Sequence, residues 1–245
     1  MDEDFPDALQ IEVTNRCNFN CLMCIRHVWN AKLSDLDIDL YKGIAESDFS
    51  RLNKLVLYGI GEPFFNPHFL DMLRISRTHL PKESEILIST NGSLLTPKVA
   101  EKILKDIGVD SISFSIDTMD IAKLENIRRN SKPRTIMENL QYIAKIKKES
   151  RRTFKLGVEA VVMKENFRDI PQLVKNLAER DVDYILISHV VPYTETILKE
   201  TAYTTLIRPP FEVIRFFSNY RWNSMNRVVH RSDYRTDIKL SLIHI

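Results

Sequence analysis

The chain has 245 residues, 44% of them hydrophobic and 28% charged, with a net charge of +2. These values describe an ordinary globular chain that fits one α/β barrel or two small domains. They give no polyanion signal, no apolar run near the roughly 20 residues of a membrane span and, with an acidic start at Met1-Asp2-Glu3-Asp4, no secretory leader. We therefore expect a cytoplasmic protein with neither a nucleic-acid nor a membrane partner.

Short apolar strands alternate with amphipathic helices, the pattern of βα units and a parallel sheet. Strands are predicted at Leu9–Thr14, Lys54–Tyr58, Glu85–Thr90, Ser111–Ile116, Phe154–Val162 and Tyr184–Val190. Helices are predicted at Asp39–Phe49, from Pro67 with Asn66 as its cap, from Pro97 after Thr96 to Gly108, at Ile136–Lys148 and at Asp169–Arg180. Six units are too few for a closed eight-stranded barrel. The expectation is an α/β fold, a partial (β/α)6 TIM-type barrel over residues 1–200. Residues 201–245 read as an extension: Pro209-Pro210, a short apolar helix near Phe211–Phe217, then a basic run.

Strand faces carry a second message. Ile112, Phe114 and Ile116 alternate with Ser113, Ser115 and Asp117, and Leu9, Ile11 and Val13 with Gln10, Glu12 and Thr14. Glu159 falls on the less apolar side of its strand. A packed barrel fills its lumen with branched apolar residues, so a polar lumen predicts a wet interior that holds a ligand.

The chemistry-bearing stretch follows the first strand. Cys17, Cys21 and Cys24 are the only cysteines, spaced by three residues and then two. Thiolates favour zinc, copper(I) or iron–sulfur clusters. A structural zinc site needs four ligands, and His27, three residues past Cys24, is the nearest further donor. An odd count argues against a disulfide framework. A four-iron cluster normally takes four cysteines, so three leave one iron open.

CxxxCxxC directly after a strand resembles the signature of the radical S-adenosylmethionine (radical SAM) superfamily. The resemblance implies a [4Fe–4S] cluster on Cys17, Cys21 and Cys24, with S-adenosylmethionine chelating the fourth iron and yielding a 5′-deoxyadenosyl radical on reduction. Met23 stands where the family often has an aromatic residue. Tyr58-Gly59-Ile60-Gly61-Glu62-Pro63-Phe64 resembles the family's Gly-Gly-Glu-Pro segment, which implies that Gly59, Gly61, Glu62 and Pro63 meet the methionyl amino group. Ser89-Thr90-Asn91-Gly92 and Ser113-Phe114-Ser115-Ile116-Asp117 resemble its third- and fourth-strand ends, which implies cofactor contacts from Asn91, Ser113, Ser115 and Asp117. Glu12 and Glu159 would face substrate. His189 reads more readily as a buried, satisfied histidine than as an acid or base.

Lys164-Glu165-Asn166 looks like members that carry a cysteine-rich SPASM domain. The cysteine loop with Ile25-Arg26-His27-Val28-Trp29 resembles the cofactor-modifying proteins of tungsten aldehyde ferredoxin oxidoreductases, with peptide-maturing enzymes close behind. This implies a cofactor-precursor or peptide substrate and an electron donor such as ferredoxin or flavodoxin. A molybdenum-cofactor-biosynthesis-like cyclase is the alternative within enzymes, although that group carries a second cysteine trio and no cysteine follows Cys24 here. A structural zinc-binding interaction module is the alternative outside them. Ser241-Leu242-Ile243-His244-Ile245 resembles translated sequencing-adaptor sequence, so the chain is expected to be part of a longer protein.

Overall fold

The computed structural model describes residues 5–150, 153–202, 227–230 and 240–243. Six strands, β1 (Ala8–Ile11), β2 (Lys54–Leu57), β3 (Glu85–Thr90), β4 (Ser111–Ser115), β5 (Lys155–Val162) and β6 (Tyr184–His189), lie side by side in chain order. Every neighbouring pair is parallel. Parallel neighbours need a crossover, and helices supply it: α1 (Ile38–Asp48), α2 (Phe69–His79), α3 (Pro97–Glu101), α4 (Ile121–Ile127), α5 (Pro133–Glu149) and α6 (Ile170–Ala178). A last helix, α7 (Glu195–Glu200), follows β6. This is the partial α/β barrel expected from the pattern.

Two strands lay beyond that expectation. Backbone pairing extends the sheet at both edges, with β7 (Arg227–His230) parallel to β6 and β8 (Leu240–Ile243) parallel to β1. Among the described residues β7 and β8 do not pair with each other, so the wall stays open. The helix expected near Phe211–Phe217 and most of the expected extension lie outside the described residues. No helix among the described residues is long and apolar enough to cross a membrane.

Alternation puts the core where the sequence placed it. Ile112, Phe114 and Ile116 are fully buried, together with Ile136, Leu140 and Ile143 from α5. The opposite faces are polar, yet largely buried: Glu12, Thr14, Ser113 and Asp117 all lose nearly all exposure. The wet interior is thus confined to one end. At the other end the Tyr184 ring crosses Gly157 so closely that a β-carbon there would collide with it. Its hydroxyl joins Ser111 (2.9 Å) and Ser113 (2.6 Å) in hydrogen bonds, which floors the lumen.

Two local readings change. Asn66 does not cap α2, which starts at Phe69. Its Nδ2 donates to the Val13 carbonyl (2.8 Å) and its Oδ1 accepts from His68 N (2.8 Å), so it fastens the loop after β2 to the end of β1. Helix α4 was not anticipated. The Asp120 carboxylate starts it by accepting from Ala122 N (3.0 Å) and Lys123 N (3.1 Å).

Candidate active site

The loops after β1, β2, β3 and β4 converge at the C-terminal ends of the strands, where barrels of this kind build their sites. They enclose a cavity of about 260 Å³ lined by Cys17, Cys21 and Cys24 with Met23 and Arg26, by Tyr58 to Glu62, by Ser89 to Asn91, and by Ser115, Arg128, Glu159 and Val161.

The cysteine loop is fixed by backbone. Asn20 N and Leu22 N donate to the carbonyls of Arg129 (2.9 Å) and Ile127 (2.8 Å), so the loop lies along the end of α4. Asn91 Nδ2 reaches Asn18 Oδ1 (2.8 Å) and stands 3.9 Å from Cys17 Sγ. All three cysteines are free thiols, partly buried. Burial raises Cys17, and it pushes Cys21 up to about 11 despite the opposing charge of Arg128. Metal ligation must therefore displace protons from these thiols.

Among the described residues no three His, Cys, Asp or Glu side chains converge as a single metal ion would require. The fit to a cluster rests on other grounds. Three soft donors border one cavity, and a fourth thiolate ligand is lacking in the sequence.

The segment after β2 is built by close approach. A β-carbon on Gly61 would run into the carbonyl oxygens of Thr14 and Arg16, and one on Gly59 into the Glu12 side chain. Glu12, at the end of β1, accepts from Ile60 N and from Gly61 N (3.4 Å). It props this loop and is not part of the cavity wall. Glu62 is 2% exposed. Its carboxylate accepts from Thr90 Oγ1 (2.7 Å), Asn91 N (2.7 Å) and Phe64 N (3.3 Å). Burial outweighs these bonds and pushes its pKa up to about 7. Pro63 is buried behind it, at the start of a short 3-10 turn, Pro63–Phe65.

Ser115 stands in the wall, whereas Ser113 and Asp117 lie behind it. Ser113 is held by Tyr184. Asp117 is fully buried and accepts from Val161 N (2.8 Å) and Arg128 Nη2 (3.0 Å), with Arg128 Nε 2.8 Å from its other oxygen but off the hydrogen-bonding line. Burial works to lower the pKa of Arg128, but Asp117 and Cys21 more than compensate and hold it firmly charged. Sequence reasoning missed Arg128 because α4, which delivers it, was missed. Arg26 was noted only as part of a loop. Its Nη1 donates to the Phe19 carbonyl (3.1 Å), while its buried Nε has no hydrogen-bond partner. His189 is exposed at the end of β6, not buried as expected.

The profile of the Radical SAM superfamily matches residues 11–177. The chain is 33% identical over 199 residues to a tungsten-containing aldehyde ferredoxin oxidoreductase cofactor-modifying protein of Pyrococcus furiosus, covering 80% of this chain and 54% of that one. It is 27% identical over 183 residues to a GTP 3′,8-cyclase of Clostridium perfringens, covering 72% and 53%. The chain thus spans about half the length of the curated relatives it matches. In fold it is similar to Streptococcus suis SuiB bound to S-adenosylmethionine (TM-score 0.71, 16% identity, 93% of this chain and 51% of that one). It is also similar to anSMEcpe with bound AdoMet (TM-score 0.60, 18% identity, 75% and 51%). The matched profile covers the cysteine loop and the first five strands, and the chain belongs to the radical SAM superfamily, whose cofactors are a [4Fe–4S] cluster and S-adenosylmethionine.

Proposed function

We propose that this chain carries the radical-generating barrel of an enzyme that matures a metal cofactor or a peptide. One observation supports the reading above all: Cys17, Cys21 and Cys24 border the same cavity as the buried carboxylate of Glu62, which forms no ion pair among the described residues. When bound, the cluster supplies the electron that breaks the sulfonium C–S bond of S-adenosylmethionine and yields a 5′-deoxyadenosyl radical.

The three thiolates hold the cluster. Glu62, fixed by Thr90, Asn91 and Phe64, offers its carboxylate to the ammonium of the methionyl group. Arg26 and Arg128 both border the cavity, so the methionyl carboxylate meets a cationic flank. Asn91 and Ser115 offer neutral hydrogen bonds. Glu159 and Val161, at the β5 side, are left for the substrate. Reduced thiols and an oxygen-sensitive cluster fit a cytoplasmic setting.

Anaerobic reconstitution followed by S-adenosylmethionine and dithionite tests the reading. Iron, sulfide and 5′-deoxyadenosine are expected, and Cys21→Ala loses all three. Stoichiometric zinc with no cleavage, or a fully active Cys21→Ala, overturns it. The sequence likeness to GTP 3′,8-cyclases supports a second reading. GTP consumed alongside S-adenosylmethionine would favour it.

A further inference from the structure

A cluster held by these cysteines takes its electron from outside, and the loop that carries them emerges as a lip of unusual character. After Cys24 the chain turns once, at Ile25–His27, and runs across the surface as residues 28–34. Val28 is 45% exposed and Leu33 57%. Trp29 lies half-buried between them. A single exposed apolar side chain is ordinary. Here two large ones share a short segment, residues 27–34, whose ionisable side chains, His27 and Lys32, are both basic. The next acidic residue, Asp35, is already paired with Arg16 (2.6 Å). Across the cysteine loop the exposed Arg129, whose carbonyl accepts from Asn20 N, adds to the same sign of charge.

The lip is also fastened. Asn15, buried two residues before Cys17, donates from Nδ2 to the Lys32 carbonyl (2.9 Å) and accepts at Oδ1 from Ser34 N (2.8 Å). Thr14 adds a bond from its hydroxyl to Asp35 (2.6 Å). One end of the lip thus begins at a cysteine, and the other is tied just upstream of the first one.

Resting on the cluster reading above, we propose that residues 25–34 form the docking surface for an acidic iron–sulfur carrier protein of the ferredoxin kind. The lip offers a short covalent path from a cluster ligand, Cys24, to solvent, and electron transfer falls steeply with distance. Encounters of this type use small interfaces, below about 1,200 Å² in total, with an apolar centre and opposite charges that steer approach. The reduced carrier gives up one electron and the oxidised cluster takes it, with no bond or proton transferred.

The test uses the reconstituted full chain and a plant-type two-iron ferredoxin. Lys32→Glu/Leu33→Glu should leave iron content and dithionite-driven 5′-deoxyadenosine formation unchanged, and should slow ferredoxin-driven formation about tenfold at low salt. Titration with oxidised ferredoxin should show wild-type binding that weakens as salt rises, and weaker binding by the variant. Lys145→Glu, on α5, should change neither. An unaltered ferredoxin-driven rate in the double variant, no wild-type binding at any salt, or a change of oligomeric state as the variant's only effect overturns the docking site. Wild-type protein that yields no 5′-deoxyadenosine even with dithionite overturns the cluster reading, and the docking site with it.

Discussion

Two buried carboxylates stand after β2 and β4, strands separated only by β3, and they are treated differently. Asp117, after β4, has a guanidinium 2.8 Å away and a backbone N–H at 2.8 Å. Glu62, after β2, is surrounded by a hydroxyl and two backbone N–H groups. A charge taken out of water persists only with compensation. Asp117 finds it within the fold. Glu62 finds less, since Arg128 acts on it without forming an ion pair, and burial pushes its pKa up to about 7. The fold therefore leaves a demand for a cation open at one strand end and closes it at the other. Under the proposed function that demand is met by a ligand's ammonium.

The contrast breaks most visibly at Arg128. Arg128→Leu leaves Asp117 buried and uncompensated, which should cost about 3–5 kcal/mol in a urea unfolding experiment. A loss under about 1 kcal/mol would mean that the pair is not what holds Asp117. Next comes the loop that presents Glu62. Gly61→Ala forces a methyl against two carbonyl oxygens and should cost about 2–3 kcal/mol. Gly59→Ala meets the Glu12 side chain, which can yield by giving up its bonds to the loop where backbone cannot, and should cost less. Equal costs would show that Glu12 is as immovable as backbone.

Glu62→Gln sharpens the comparison, because it keeps shape and removes charge. Affinity of the reconstituted protein for S-adenosylmethionine should fall by about 2 kcal/mol, measured by equilibrium dialysis. The ligand-free fold should gain stability at pH 8, since a buried charge has gone.

The same raised pKa sets the pH dependence of that fold. The folded pKa of about 7 lies above the ordinary carboxyl value of 4.5. Between the two, the folded state binds more protons than the unfolded state. Stability from this group is thus present at the acid end and is lost as pH rises through 7, about 3 kcal/mol in all. Wild type minus Glu62→Gln should show that slope, and a flat difference would remove the raised pKa.

The same two carboxylates show why part of the site was readable in the sequence and part was not. Glu62 sits in a compact local motif, Gly59 to Pro63, whose glycines and turn chemistry act within five residues. The cysteines are likewise local, and the alternation of β4 follows from the period of a strand. In the sequence Asp117 reads as a cofactor contact, whereas it lies behind the cavity wall against Arg128, and that partner depends on a seven-residue helix announced only by Asp120. Arg128 at the end of that helix looks like any surface arginine until α4 packs. The floor made by Tyr184 with Ser111 and Ser113 joins residues more than 70 positions apart, and no periodicity encodes such a contact. His189 failed for a similar reason, because exposure at a strand's last residue is set by its neighbours in space.

The most direct measurement is the electron paramagnetic resonance spectrum of the reduced, reconstituted protein with and without S-adenosylmethionine, in wild type and in Glu62→Gln. Wild type should change its spectrum on addition of the ligand, and Glu62→Gln should require at least tenfold more ligand for the same change, as expected when one partner of a buried charge pair is removed. Identical responses at identical concentrations would contradict the role given to Glu62 and, with it, the assignment of this cavity.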